Sequence, residues 1–192
     1  MRMTPETKDK ARAALVEAAG RLFREQGVSA TGVDAIAREV GQTSGAFYAH
    51  FPSKADVLQD AVDAGFARLI GGIRRVGEAG DAHSARQFAQ HYLTETARDN
   101  VGRGCLLPTL ANDAARAGAA THRAFGEQLA VAAAELAKSC GDGNATQRED
   151  RAFAMLALCA GGLMLARAMP DTAASDRMLN ACREAAAKLV AD

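Results

Sequence analysis

Tryptophan is missing from this 192-residue chain, and seven Phe and two Tyr supply all of its aromatic rings. Net charge is also missing: 23 Lys and Arg balance 23 Asp and Glu, which excludes a uniformly basic coat for a polyanion. The four cysteines, Cys105, Cys140, Cys159 and Cys182, are 35, 19 and 23 positions apart. No Cys or His pair has metal-ligand spacing, so free thiols in a reducing cytoplasm are expected, with no metal. Met1–Lys10 is polar and shows no secretory leader. The longest apolar run, Ala152–Ala166, is 15 residues, short of the roughly 20 that span a bilayer. It reads as a buried helix, and no membrane partner is expected. A phosphate-binding glycine motif, paired carboxylates and a nucleophile–base–orienter set are all absent, so neither catalysis nor a cofactor is expected.

What is present is helical. Ala, Leu, Glu and Arg recur at helical spacing, and period-2 alternation of Val, Ile and Thr does not occur. Thr4-Pro5 marks a helix start, and Thr31-x-x-Asp34, Ser53-x-x-Asp56, Ser84-x-x-Gln87 and Thr146-x-x-Glu149 fit the capping box or its Asp variant. Between these marks the pattern predicts helices at about 5–26, 33–40, 44–50, 54–76, 84–100, 108–116, 119–140, 147–168 and 172–190. Two units follow, 1–54 and 55–192, with the helix from residue 54 running from the first into the second. Residues 1–54 carry eight basic and six acidic residues, a weak positive bias.

Three of the nine aromatic residues, Phe47, Tyr48 and Phe51, crowd into GQTSGAFYAHFPSK, residues 41–54. Ala14, Leu15, Ala18, Ala19, Leu22 and Phe23 form one apolar stripe, and Val33, Ile36, Ala37 and Val40 form a second. Phe47 and Phe51, at i and i+4, close a three-helix core that holds a helix too short to stand alone. Gly41 supplies a left-handed turn, and Thr43 or Ser44 supplies the cap. The opposite face then offers Gln42, Thr43, Ser44, Gly45, Ala46, Tyr48 and His50, with Lys54 beyond it. That is a helix-turn-helix whose second helix presents donors for base edges and phosphates.

Residues 27–58, GVSATGVDAIAREVGQTSGAFYAHFPSKADVL, resemble the N-terminal domain of the tetracycline-repressor-like (TetR) family of bacterial transcription regulators. Gly27, Thr31, Ile36, Ala37, Gly41, Gly45, Tyr48, His50, Phe51, Ser53, Lys54 and Leu58 match that family's pattern. Gly32, Gln42 and Ala46 depart from it, standing where the family often has Thr or Ser, Val, and Thr. The resemblance implies an all-α protein: a three-helix DNA-binding head, then a helical domain for ligand binding and dimerisation. It further implies a homodimer through the last two helices, bound to a double-stranded DNA operator. A small-molecule effector would act through the helix at 54–76.

The DNA set is therefore Thr31, Gln42, Thr43, Ser44, Gly45, Ala46, Tyr48, His50 and Lys54. Tyr48 reads alternatively as a ring packed on the first helix, His50 as a partner of a local carbonyl, and Lys54 as a solvated cation. Thr31 is expected both to cap a helix and to lie near a phosphate. Arg2, Lys8, Lys10 and Arg12 offer a basic arm. Cavity candidates are Phe66, Ile70, Phe88, Tyr92, Cys105, Leu107, Leu110, Asn112, His122, Phe125 and Met155, most of which would serve equally as core. Cys105, in Gly104–Pro108, is either a redox or electrophile sensor or an inert packed thiol. The expected function is a repressor released by a small apolar or amphipathic molecule. A Cys105-based sensor and a helical ligand carrier without DNA binding are the alternatives.

Overall fold

The computed structural model describes residues 5–77 and 82–190, and in them the chain is all-helical. The head contains α1 (Pro5–Gln26), α2 (Val33–Glu39) and α3 (Ser44–Tyr48). The body follows as α4 (Lys54–Val76), α5 (Ala82–Tyr92), α6 (Glu95–Asp99), α7 (Leu107–Arg116), α8 (Ala119–Ala137), α9 (Ala145–Ala168) and α10 (Thr172–Leu189). A single 3-10 turn, Val101–Arg103, lies between α6 and α7.

One continuous core joins head and body through α4. Val57, Leu58, Ala61 and Val62 on the first half of α4 are buried along with Leu15, Ala19, Leu22 and Phe23 of α1. On its second half, Phe66 meets Phe125 of α8 edge to face, with ring centroids 5.0 Å apart. Gly65 lets α4 approach Leu106: a Cβ there would sit 3.0–3.3 Å from that leucine's side chain. The division at 54/55 thus falls in the first turn of a helix that packs on both units.

The cap signals were only partly right. Ser53 caps α4 as expected, accepting from the Asp56 amide at 3.4 Å and donating to the Asp56 carboxylate at 2.6 Å. At α2 the cap position is Gly32, while Thr31 is fully buried and donates to the Gly27 carbonyl at 2.8 Å. Ser84 lies inside α5, which has already begun at Ala82. For α9 the capping box is Asn144 with Gln147, two residues ahead of the predicted pair, with both reciprocal bonds at 3.0 Å. The expected continuous helix at 84–100 is broken at Leu93, because the Thr94 hydroxyl accepts from the Ala97 amide and starts α6. Thr4 lies outside the described residues.

The apolar run of α9 belongs to a 24-residue helix, long and apolar enough to cross a membrane by length and composition. Its inner face, including Ala152, Met155, Leu156, Cys159, Gly162 and Leu163, is buried in the core. The outer face leaves Phe153, Met164 and Leu165 exposed. Together with Ala157 and Gly161 they form a stripe at i, i+4 spacing.

Candidate nucleic-acid interface and cavity

The short helix α3 is built as its sequence suggests. The chain leaves α2 through a Schellman motif: Gly41 has φ 68°, the Gly41 amide donates to Arg38 and the Gln42 amide to Ala37. Thr43 is the cap of α3 and accepts from the Ala46 amide at 3.3 Å. Ser44 donates to the Asp34 carboxylate, tying α3 to α2. Phe47 is wholly buried, with its ring 5.5 Å from that of Phe51. Tyr48, one residue on, is 56% exposed and touches the Phe47 ring edge-on.

Gly45 is exposed beside Tyr48, while Gln42, Ser44, Ala46 and His50 are half-buried. Gln42 Oε1 and His50 Nδ1 are buried without hydrogen-bond partners among the described residues, so His50 Nδ1 is not used on a local carbonyl. Lys54 donates to the Val28 carbonyl at 2.9 Å and to the Thr31 carbonyl at 3.2 Å. It fastens the α1–α2 loop to α4 and has one N–H left over. Thr31 leaves the DNA set, because a fully buried hydroxyl already bonded to backbone cannot reach a phosphate. Arg12 leaves the basic arm: its guanidinium lies 4.7 Å from the centre of the Phe51 ring and 2.5 Å from Asp60. Arg2 lies outside the described residues.

A cavity of about 600 Å³ opens between α4, α5 and the turn at Arg103–Cys105. Of the expected lining, Phe88, Tyr92 and Cys105 are there. Phe66, Ile70, Leu107, Leu110, Phe125 and Met155 are packed core, with Phe66 and Phe125 used against each other. Asn112 and His122 are exposed and do not line this cavity. Sequence reasoning missed Arg68, Arg75, His91 and Arg103, since a charged residue on an amphipathic helix ordinarily reads as solvated.

The turn that carries Cys105 is held from the head. Arg24, buried in α1, donates through Nε (2.8 Å) and Nη2 to the Gly102 carbonyl. Behind the same turn, Arg167 donates to the carbonyls of Ala97 (2.7 Å) and Arg98 (3.2 Å). Burial pushes the Cys105 thiol above its ordinary range, against the opposing pull of Tyr92, the Leu107 amide, Arg167 and Arg24. Burial thus works against the activated thiolate that a sensor needs.

Burial also raises Cys140 to about 11 and Cys159 to about 12. These groups keep a proton in the folded state that the unfolded chain gives up near pH 9. Their stabilisation is full below pH 9 and is lost as pH rises towards the folded values. Urea melts at stepped pH above 9 should show stability falling by at most about 1.4 kcal/mol per pH unit for each thiol. The slope should flatten in Cys140→Ala/Cys159→Ala.

A five-residue helix with its apolar side locked and its polar side bare, on an all-helical body, defines a helix-turn-helix protein with a separate C-terminal helical domain. Residues 15–61 match the family described as bacterial regulatory proteins, tetR family. The similarity to that family is carried by this N-terminal segment, about a quarter of the chain. It is 41% identical over 63 residues to the HTH-type transcriptional regulator TtgR of Pseudomonas putida, covering 33% of this chain and 30% of that protein. It is 32% identical over 102 residues to the transcriptional regulator AcuR of Cereibacter sphaeroides, covering 52% and 47%. The matches thus span about a third to a half of these relatives' lengths.

Among solved structures, the reduced form of Escherichia coli NemR superposes with a TM-score of 0.78 at 16% identity, over 95% of this chain and 98% of that one. A regulatory protein TetR from Rhodobacter sphaeroides gives 0.73 at 24% identity, over 94% and 99%. At these identities the likeness speaks for the fold of the whole chain.

Proposed function

We propose that the chain is a DNA-binding transcriptional repressor that grips a palindromic operator as a homodimer and is released by a small molecule. The observation that carries this reading is the exposure of Tyr48 on a helix whose other side is anchored by Phe47. Thr43, Gly45, Ala46 and Tyr48 face the major groove, where small residues allow close approach to base edges. His50, Gln42 and the spare N–H of Lys54 reach the flanking phosphates or base edges, while Ser44, whose one O–H is given to Asp34, can only accept from a base edge. The dimer uses the outer stripe of α9, Phe153, Met164 and Leu165, alongside α10; in a single chain this stripe leaves an apolar face in water. A twofold pairing would place the two copies of α3 roughly 34–36 Å apart, one helical turn of DNA.

A gel-shift titration with the DNA upstream of the protein's own gene tests this. Binding should saturate, fall steeply with salt, and weaken at least about tenfold in Tyr48→Ala, a loss of about 1.4 kcal/mol. The thermal melt should be unchanged, because Tyr48 is mostly solvated. Wild-type affinity in Tyr48→Ala would remove the assigned face. Capture of DNA by a protein that remains a monomer in sedimentation would remove the dimer.

A further inference from the structure

We propose that the cavity between α4 and α5 is an anion site, built for an amphipathic molecule with a carboxylate or phosphate head and an apolar body. The inference rests on the reading of the chain as a ligand-released regulator and narrows the ligand from any small apolar molecule to one class. Charge is the first argument. Arg68, Arg75, His91 and Arg103 line the cavity, and no carboxylate among the described residues does. Arg68 is shared with Glu17 at 2.9 Å, but Arg75 and Arg103 have no ion pair among the described residues. His91 Nδ1 donates to the Gln87 carbonyl at 2.8 Å, so the charge argument rests on the arginines.

An unsatisfied donor is the second and independent argument. Tyr92 is 9% exposed and lines the cavity, and among the described residues its hydroxyl has no hydrogen-bond partner other than the Cys105 thiol. The Cys105 thiol beside it is at best a weak partner. A buried hydroxyl so weakly paired is costly, and here it lies where an acceptor from a ligand would satisfy it. Two more orphaned donors sit behind the Cys105 turn: Nη1 of Arg24 and Nη1 of Arg167 are both buried and unpaired. Gly104 is the wall between Arg167 and the cavity, and a Cβ there would come within 2.8 Å of Arg167 Nη2. Both guanidinium charges act on Cys105 in the cavity wall.

The rest of the lining sets the body of the ligand. Phe88, Leu69 and Val76 supply an apolar wall, and about 600 Å³ is room for a small organic molecule, not for a bare inorganic ion. The head lies at the Tyr92–Cys105 end and the body along Phe88. A cation of the same shape meets the guanidinium groups of Arg75 and Arg103, which have no ion pair among the described residues.

Calorimetric titration of the full chain with sodium octanoate, octyl phosphate, octanamide and octylamine tests the assignment. One of the two anions should bind at least tenfold tighter than octanamide, the tighter of them naming the head group, and octylamine should give no heat. Tyr92→Phe should cut the anion's affinity at least fivefold while leaving the melting temperature level or higher, since it removes a weakly paired hydroxyl; a purely structural tyrosine would do neither. Arg75→Gln, at an exposed position, should also lose affinity with its fold intact. Equal affinity for octanoate, octyl phosphate and octanamide, or no heat from any of them, overturns the inference. Anion binding that leaves the upstream DNA complex intact keeps the site and removes the reading of release by ligand.

Discussion

Phe47→Ala should lower the stability of the whole chain by about 3–5 kcal/mol, with a fall in melting temperature of roughly 10 °C or more. Phe47 is fully buried, its ring meets Phe51 and Tyr48, and its carbonyl accepts from the amides of His50 and Phe51. The helix it anchors is five residues long and cannot persist on backbone hydrogen bonds alone. Operator binding should vanish with the fold of α3. The contrast with Tyr48→Ala is the informative part: neighbouring aromatics, one setting stability and the other setting affinity. A melt of Phe47→Ala within 2 °C of wild type would show that α3 is held by something other than this ring.

The second large effect is expected where α9 and α10 pack. A Cβ on Gly162 would lie 2.6 Å from Cys182 Sγ and 3.0 Å from its Cβ, so any side chain there forces the two helices apart. Gly162→Leu gains under about 1 kcal/mol of helix propensity. Overpacking should outweigh that gain and leave a net loss of about 2–3 kcal/mol. Gly162→Ala/Cys182→Ala should recover most of what Gly162→Ala loses, which a double-mutant cycle in urea melts would read directly. Gly161 has open space around its Cβ position within the chain, so Gly161→Ala should cost nothing in a single copy. A loss there as well would locate a second copy against that face.

The head was legible because its signals are local and mutually consistent. Gly41 demands a left-handed turn, Thr43 and Ser53 stand next to the helices they cap, and Phe47 and Phe51 share a spacing that only one core can use. The start of α9 was misplaced because Asn144 and Thr146 compete within three positions, and the reciprocal bonds with Gln147 decide for Asn144. Thr31 was misread for a related reason: a hydroxyl near a helix start can serve a cap, a loop or a phosphate, and here burial gives it to the Gly27 carbonyl.

The cavity was the least legible part. A leucine in a packed core and a leucine in a cavity wall have the same sequence signature. Leu107, Leu110 and Met155 thus turned out as core, while Arg75 and Arg103, charged and spaced like ordinary surface residues, border the opening. Tyr92 was found only as a polar group near apolar neighbours; that its hydroxyl has no partner but the Cys105 thiol among the described residues follows from geometry alone.

The bond from Arg24 to the Gly102 carbonyl means that residue 61, where the family match stops, is no physical seam. A piece of chain ending there would keep a guanidinium shaped to a carbonyl that had been removed. Grafting this head onto a foreign body would therefore require re-creating the loop beneath Arg24 as well as the helices above it.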